Sequence, residues 1–317
     1  MQINFGISTG INGIPTAITI QRGNTQDKKH MREMLKVIPS VIPKGSLLIF
    51  DSGANTKSNK RRIRELGFHY LTLKAKKVKT YRKYVEYFKN NFEDVDILEI
   101  NERHYYCVKK MEKGVVFYIF FSPELYMDQL RVKERRFERE KEKGNKILRR
   151  RKKERIPCDK GWVELIPSLQ KTLFSIDNPY ISGVEGFFIL ECSLDAEPEK
   201  VLRLYKERDK AEKFIRALKE GIELHPIRHW SKWCIIGIFF ICFLANFLIN
   251  LTLVLSNSSP VKNVKLLKKS LINLSMTVVY PPNGFIFHVL SNVTPRILAI
   301  FGDFIHRYED KSLNLRW

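Results

Sequence analysis

The sequence predicts an α/β fold in which helices flank a mixed sheet. Two alternating runs at residues 3–8 and 15–20 are separated by a glycine-containing turn, which predicts an antiparallel hairpin. Two short apolar runs at residues 46–50 and 69–73 then flank a basic helical segment at residues 57–66. At 317 residues the chain is long enough to bury a large core around such a sheet.

A helix is expected between the hairpin and the first apolar run. Thr25 or Asp27 can cap its start. Its apolar residues share one stripe: Met31, Met34, Leu35 and Val37. The run at residues 46–50 does not alternate, which is expected of a strand that is buried on both faces. The order of elements up to residue 73 is therefore β-β-α-β-α-β.

The middle third of the chain has a different character. Three strand-like runs lie within residues 94–121, and one long charged helix is expected from residue 124 to residue 155. Residues 131–155 carry 14 Lys and Arg against 5 Glu. Such a run is either a solvated arm or a surface that follows phosphates, and the sequence leaves both interpretations open.

The last third is mostly helical. A strand at residues 186–193 precedes a helix of about six turns at residues 198–221, which begins at a proline and ends at a glycine. The later segments predict an apolar helix, a second helix, a small hairpin and a last helix, at residues 231–255, 262–274, 276–290 and 295–306. We expect four parts: a first part of the core, an insertion that contains strands and the long basic helix, a second part of the core, and a tail, at residues 1–73, 74–185, 186–255 and 256–317.

The charge of the chain predicts a polyanionic partner. There are 56 Lys and Arg against 34 Asp and Glu, a formal net charge of +22, which favours nucleic acid over a membrane surface. The five cysteines are scattered and form no C-x-x-C pair, so neither a disulfide framework nor a zinc module is predicted. Residues 1–10 are not typical of a signal peptide. We therefore expect a DNA-associated protein of the cytoplasm.

One segment supports a different interpretation. Residues 233–255 are long and apolar enough for a transmembrane helix, which would make the chain a basic membrane protein anchored by this segment. Asn246, Asn250 and Thr252 recur on one side of the same segment. A buried central helix of a large domain gives the same pattern, and we expect this second case, with no membrane partner.

The helix at residues 198–221 carries the first candidate site. At about 100° per residue, five side chains fall within an arc of about 80°: Tyr205, Arg208, Glu212, Arg216 and Lys219. One carboxylate among a phenol and three cations suits a metal held beside a polyanion. A solvated helix face with i,i+4 ion pairs gives the same spacing.

Asp51 is the second candidate, because it ends the apolar run at residues 46–50 and precedes Ser52 and Gly53. Ligands of α/β sheets lie outside the carboxyl ends of strands, although an Asp at this point also caps turns. Asp51 and Glu212 together could hold two divalent cations for phosphoryl transfer. Oxygen ligands indicate Mg²⁺ or Mn²⁺.

The spacing Tyr205-x₂-Arg208-x₃-Glu212-x₆-Lys219 reproduces a four-residue signature, Y-(2)-R-(3)-E-(6)-K. In this the chain resembles one large group of prokaryotic insertion-sequence transposases, which belong to the DDE superfamily and have a ribonuclease H-like fold. The turn at residues 23–25 and the pair His229-Trp230 agree with this resemblance, which covers most of residues 1–255. The expected fold is therefore a ribonuclease H-like mixed sheet, interrupted by a β-rich insertion.

The resemblance implies roles for individual residues. Asp51 resembles the second catalytic Asp and Glu212 the catalytic Glu, and both would be metal ligands. Tyr205, Arg208 and Lys219 resemble the residues that contact phosphates at the transposon ends. We expect further DNA contacts from Arg216, His229 and Trp230. The implied reaction is hydrolysis at the element's end, followed by attack of the freed 3′-hydroxyl on target DNA, in a homodimer on paired ends.

The chain departs from the family pattern at its start. The family's first catalytic Asp lies on a strand just before the hairpin, whereas Met1 begins at what resembles the second strand. The only acidic residue before Asp51 is Asp27, on the turn that follows the hairpin. The expectation is a truncated transposase without the first carboxylate. The alternative is a catalytically inactive DNA-binding remnant or inhibitor.

Overall fold

The structure is a computed structural model. It describes residues 3–10, 12–150, 154–158, 161–165, 178, 180–221, 231–255, 264–280, 282 and 287–309. The described chain divides into two compact units, which are taken in turn below. The larger unit is Gln26–Arg208, and the smaller unit combines Met1–Thr25 with Asp209–Trp317.

The elements are numbered in chain order. The strands are β1 (Ile3–Thr9), β2 (Pro15–Arg22), β3 (Leu47–Phe50), β4 (His69–Leu73), β5 (Asp96–Ile100), β6 (Arg103–Glu112), β7 (Val115–Phe121), β8 (Glu154–Cys158), β9 (Gly161–Leu165), β10 (Phe187–Cys192), β11 (Ser275–Val279) and β12 (Phe287–Ser291). The helices are α1 (Asp27–Val37), α2 (Lys57–Glu65), α3 (Val78–Asn90), α4 (Pro123–Arg150), α5 (Pro198–Lys206), α6 (Arg208–Gly221), α7 (Lys232–Leu255), α8 (Val264–Leu271) and α9 (Pro295–Glu309).

The larger unit is built on a six-stranded mixed sheet of order β3-β4-β10-β7-β6-β5. β3 and β4 are parallel, and the other neighbouring strands are antiparallel. β5, β6 and β7 fall within the range 74–185 and belong to the same sheet as β3, β4 and β10. The predicted fold class, a mixed α/β sheet flanked by helices, is confirmed.

Helices cover both faces of this sheet. On one face, Tyr84 and Phe88 of α3 pack against Phe117 and Ile189 of the strands. On the other face, Val201 and its neighbour Leu202 of α5 pack in a cluster with strand residues that include Leu71, Tyr118 and Leu190. The alternation of side chains along each strand supplies both apolar faces. The sequence analysis contained no helix at the position of α3.

Two predicted helices have different bounds. The helix expected at residues 198–221 is interrupted at Glu207 and forms α5 and α6, so a continuous helix was wrong. The backbone N–H of Glu207 is shared between the carbonyl oxygens of Arg203 and Leu204, both at 3.2 Å. Such a shared bond tightens the last turn of a helix. The long basic helix α4 ends at Arg150, and β8 begins at Glu154, so this helix is shorter than predicted.

The smaller unit contains the predicted hairpin of β1 and β2, in which Phe5 is paired with Ile20. Ile235, Phe239 and Cys242 of α7 pack on this hairpin, and the rings of Phe5 and Phe239 lie 5.0 Å apart. The predicted hairpin near the C-terminus is also present, as β11 and β12. The structure therefore confirms both predicted hairpins.

Within the described residues, α7 is the one helix long and apolar enough to cross a membrane. Its polar side chains are satisfied by the helix itself. The amide of Asn246 donates to the carbonyl of Cys242 at 2.9 Å, and that of Asn250 donates to the carbonyl of Asn246 at 2.8 Å. One side of α7 packs against the hairpin of β1 and β2, and apolar side chains elsewhere on α7, among them Phe240, Ile241 and Leu248, are exposed.

Candidate active site

Asp51 lies directly after β3, at the start of a single 3₁₀ turn formed by Ser52–Ala54. Its Oδ1 accepts a hydrogen bond from the backbone N–H of Ser52 at 2.7 Å. The side chain is 55% exposed, so most of the carboxylate remains open to solvent. Because β3 and β4 are parallel, both of their carboxyl ends open at this edge of the sheet, which is called the Asp51 edge below.

The turn at Asp51 is fixed to the end of β4 by two hydrogen bonds. The hydroxyl of Thr72 donates to the backbone carbonyl of Asp51 at 3.4 Å. The side-chain amide of Asn55 donates to the carbonyl of Leu73 at 3.0 Å. The position of Asp51 is therefore set by two neighbouring strands.

The buried side chain of Asn59 also fixes this turn. Asn59 is 1% exposed, and its Nδ2 donates to the carbonyls of Lys28 in α1 and Ala54 in the turn, at 3.2 and 3.0 Å. The start of α1 is thereby tied to the turn that carries Asp51. Asn59 was not predicted from the sequence, because it belongs to no motif and lies in a basic helix.

Gly53 allows a close approach of α1 to this turn. The Oδ2 atom of Asp27 lies 2.7 Å from the position that a Cβ of Gly53 would occupy. A larger residue here would require the Asp27 carboxylate to move away. Asp27, which the sequence placed only on a turn after the hairpin, thus lies against the turn of Asp51.

Arg208 is the cation next to Asp51. Its Nη1 lies 3.6 Å from Oδ2 of Asp51, and its guanidinium lies 5.5 Å from the ring centre of Tyr205. Three of the residues predicted for the site, Asp51, Arg208 and Tyr205, are therefore brought together in the larger unit. An arginine at this distance neutralises an exposed carboxylate and leaves one edge of it accessible.

The remaining predicted residues lie elsewhere. Glu212 and Arg216 are exposed on α6, in the smaller unit, and Lys219 belongs to the same helix. Their spacing places residues 212, 216 and 219 on one side of a regular helix. His229 and Trp230 lie outside the described residues. Their predicted DNA contacts are untested.

A cleft of about 320 Å³ opens at the Asp51 edge of the larger unit. Leu73, Tyr105 and Phe188 are among its apolar lining, and Arg103 and Lys206 add cations beside Arg208. The ammonium of Lys206 donates to the hydroxyl of Tyr105 at 3.0 Å and lies 4.4 Å from the centre of that ring. Arg103 and Lys206 were not predicted from the sequence, although Lys206 directly follows the signature tyrosine.

Two carboxylates of α4, Glu124 and Asp128, also line the cleft. Hydrogen bonds from the backbone N–H of Glu124 itself and from the hydroxyl of Ser122 lower the pKa of the Glu124 carboxyl. The distance from the Ser122 hydroxyl is 2.8 Å. Glu124 is therefore an anion at neutral pH, and the cleft carries both signs of charge.

A buried ion pair lies behind the Asp51 edge. The ammonium of Lys60 is 2.6 Å from the carboxylate of Glu191, which also accepts a hydrogen bond from the hydroxyl of Tyr70 at 3.0 Å. Burial raises the pKa of Tyr70, and the nearby Glu191 carboxylate raises it further. Tyr70 is thus a neutral donor, and these three side chains join α2, β4 and β10.

The carboxylates fit a hard divalent cation by chemistry, since Mg²⁺ and Mn²⁺ prefer oxygen ligands. Among the described residues, no three His, Cys, Asp or Glu side chains are grouped closely enough to hold a metal ion. Asp51, the metal ligand predicted in the larger unit, has an exposed carboxylate.

Comparison with known proteins adds one finding. The family model described as the transposase DDE domain matches residues 7–237. No curated protein and no solved structure matches the chain. The matched range includes both Asp51 and Glu212.

Proposed function

Since the chain belongs to the transposase DDE domain family, we propose that it cuts DNA at the ends of a mobile element and joins those ends to target DNA. Transposition and recombination of DNA, and the use of divalent metal ions, are properties of this family. The observation that carries the finer proposal is Asp51, an exposed carboxylate at a strand end with Arg208 beside it. We also assign the chain to the YREK group and propose that it acts in the cytoplasm.

We propose that Asp51 and Glu212 are the metal ligands. Both are carboxylates, both are exposed, and both lie in the range that the family model matches. When bound, Mg²⁺ or Mn²⁺ would activate the attacking oxygen and stabilise the leaving oxygen of the phosphodiester. The chain's own contribution at Asp51 is orientation, because the Ser52 N–H fixes one carboxylate oxygen and leaves the other for a cation.

Arg208 and Tyr205 support binding of a DNA phosphate near Asp51. The guanidinium next to Asp51 compensates the carboxylate charge before a cation arrives, and an arginine fork also suits a phosphate. We propose that Arg208 exchanges Asp51 for a phosphate when DNA binds. Lys219, Arg216, His229 and Trp230 are proposed as further DNA contacts, and a homodimer on paired ends as the working assembly.

A second candidate function is DNA binding without cleavage. It is favoured by one observation, namely that the described residues contain no group of three potential metal ligands. A remnant of this kind would retain the charge of +22 and the fold. It would bind DNA in a salt-sensitive way and compete with an active transposase for the same DNA.

Variants of the two carboxylates separate these functions. We expect Asp51→Asn and Glu212→Gln each to lower Mg²⁺-dependent cleavage at least about 100-fold, because each removes a negative metal ligand. The substrate is a plasmid that carries the sequences flanking the chain's own gene. DNA affinity in EDTA should stay within about twofold of wild type, because neither carboxylate can donate a hydrogen bond to a DNA phosphate.

Two exposed carboxylates of α5 and α6 provide matched controls. Glu199→Gln and Asp209→Asn remove the same charge, and both residues form ordinary i,i+4 ion pairs, with Arg203 and Lys213. These variants should cleave like wild type. Cleavage by the Asp51 and Glu212 variants at the wild-type rate would exclude their role, and binding without cleavage by every protein would favour the second candidate.

A further inference from the structure

Residues 74–90 form a basic segment next to the Asp51 edge. They contain seven Lys and Arg and a single acidic residue, Glu86. The segment leaves the end of β4 and continues as α3. None of its residues belongs to the signature or to the proposed metal site.

The packing of α3 turns the basic side chains outward. Tyr81, Tyr84, Val85 and Phe88 are buried against the sheet. The opposite side of the helix carries Lys79, Arg82 and Lys83, and all three are exposed. The helix is thus amphipathic, with a basic outer face.

Three lysines of this segment have no hydrogen bond or ion pair with the residues that the structure describes. Lys76 donates to the side chain of Gln129 at 3.1 Å, and Arg82 donates to the carbonyl of Ser182 at 3.4 Å. The side chains of Lys77, Lys79 and Lys83 have no hydrogen bond or ion pair within the described part of the chain. These three residues are called the α3 strip below.

The α3 strip opposes the dipole of its own helix. Lys77 is the N-cap residue of α3, Lys79 is in the first turn, and the first turn contains no acidic residue. A cation near a helix N-terminus is disfavoured, whereas an anion there is favoured. A bound anion would reverse this unfavourable arrangement.

The strip begins at the Asp51 edge. The carboxyl ends of β3 and β4 lie side by side, and the Asn55 amide joins the Asp51 turn to Leu73, one residue before the basic segment. Two other exposed lysines lie at the opposite edge: Lys44 before β3 and Lys113 in the turn between β6 and β7.

We propose that Lys77, Lys79 and Lys83 bind the phosphate backbone of the target duplex, without regard to its sequence. The inference rests on the proposed function. Lysine ammonium groups are flexible point charges, which suits phosphate contacts better than the reading of bases. The three residues extend over about 9 Å of chain at 1.5 Å per residue, a length in which each DNA strand presents about two or three phosphates.

The test is the salt dependence of binding to a random 30-bp duplex, measured for the full chain. We expect Lys77→Gln, Lys79→Gln and Lys83→Gln combined to lower the slope of log K against log salt by about 2 to 3, since each phosphate contact contributes about 0.9. At 0.1 M salt the affinity should fall on the order of 100-fold. The single variant Lys79→Gln should lower the slope by about 1.

The control removes two charges at the opposite edge. Combined Lys44→Gln and Lys113→Gln should leave the slope near the wild-type value, whereas Lys79→Gln and Lys83→Gln combined should lower it by about 2. Equal losses in these two double variants would show a general charge effect and overturn the proposal, as would an unchanged slope in the strip variant. A loss confined to duplexes that carry the gene's flanking sequences would assign the strip to the element's ends and would also overturn it.

Misfolding of the strip variant can be distinguished from loss of DNA binding by its melting temperature. The melting temperature of the strip variant should equal or exceed that of wild type, because two cations are removed from the positive end of a helix. The readout is binding alone, so it does not depend on cleavage. Absence of cleavage with an intact strip effect would contradict the proposed function and leave the strip as a duplex-binding surface.

Discussion

Asn59 is a buried side chain whose two amide hydrogens both reach backbone carbonyls around Asp51. One bond goes to α1 and one to the turn after Asp51, as described above. The Asn59 amide therefore holds the turn that follows Asp51 against helix α1. Asn59 is a positioning residue in this account, because it touches neither metal nor DNA.

We predict that Asn59→Asp, which keeps the shape and removes the donors, raises the Mg²⁺ concentration for half-maximal cleavage several-fold. The reason is that the two carbonyls lose their donors and the Asp51 turn becomes less ordered. The free energy of unfolding should fall by about 1 to 3 kcal/mol. Metal titrations of the cleavage rate and thermal unfolding measure the two effects.

Asn91→Ala is the control for this prediction. The Asn91 amide donates to the carbonyl of Tyr87 at 2.8 Å, at the far end of α3. Its loss should lower stability without changing the metal titration. An Asn59→Asp protein with the wild-type metal titration would contradict the positioning role.

Single residues differ in how far the sequence reveals them. Asp51 and Arg208 were predicted from a strand end and a fixed spacing, and the structure places them 3.6 Å apart. The contact of Asn59 with Lys28 joins residues 31 positions apart. Tertiary packing alone decides such a contact, so neither periodicity nor spacing predicts it.

At the scale of elements, Glu185 fixes the loop before β10 to α4. Its carboxylate accepts hydrogen bonds from the N–H groups of Ser182 and Gly183, at 2.9 and 2.8 Å, and pairs with the ammonium of Lys133. Burial acts to raise the pKa of Glu185, but these donors outweigh it and lower the pKa to about 2. Lys133 also donates to the carbonyl of Tyr180.

We predict that this contact makes the larger unit sensitive to acid. The folded-state pKa of about 2 lies below the ordinary value of 4.5, so the stabilisation is complete above about pH 4.5 and is lost as the pH falls towards 2. Glu185→Gln should lower the free energy of unfolding by about 2 kcal/mol at pH 7. It should also reduce the loss of stability between pH 4.5 and 2, measured by thermal unfolding at several pH values.

Glu86→Gln provides the comparison, because Glu86 is exposed on α3. This variant should reproduce the wild-type dependence on pH. An acid transition that is unchanged in Glu185→Gln would show that other carboxylates carry it.

Elements were predictable where local pattern decides them. The hairpin of β1 and β2 follows from alternation around a glycine turn, and the structure confirms it. No proline or glycine marks the interruption at Glu207. At this point one backbone N–H is shared between two carbonyl oxygens. Helix α3 has apolar residues at i, i+3, i+4 and i+7 from Tyr81, and this spacing is the local signal of an amphipathic helix.

At the scale of the molecule, the sheet order gathers distant segments at one edge. β10 lies next to β4, although more than 100 residues separate them along the chain. Local patterns predict strands and do not predict their neighbours, which is why the edge shared by Asp51, the α3 strip and the cleft emerged only from the structure. The charge of +22, in contrast, follows from composition alone and indicates the polyanionic partner.

The family model spans both compact units, since it matches residues 7–237 and so contains Asp51 of one unit and Glu212 of the other. The central claim is that these two carboxylates bind the same divalent ions. It does not depend on knowing the DNA sequence that the protein cuts. It is therefore open to a direct measurement on the purified chain.

That measurement is cleavage of the polypeptide by bound Fe²⁺ in the presence of ascorbate and oxygen, which cuts the backbone beside metal ligands. We predict fragments that end near residues 51 and 212, suppressed by excess Mg²⁺ and reduced at both positions by either Asp51→Asn or Glu212→Gln. Fragments at other positions, or fragments at these positions that neither variant reduces, would contradict a shared metal site.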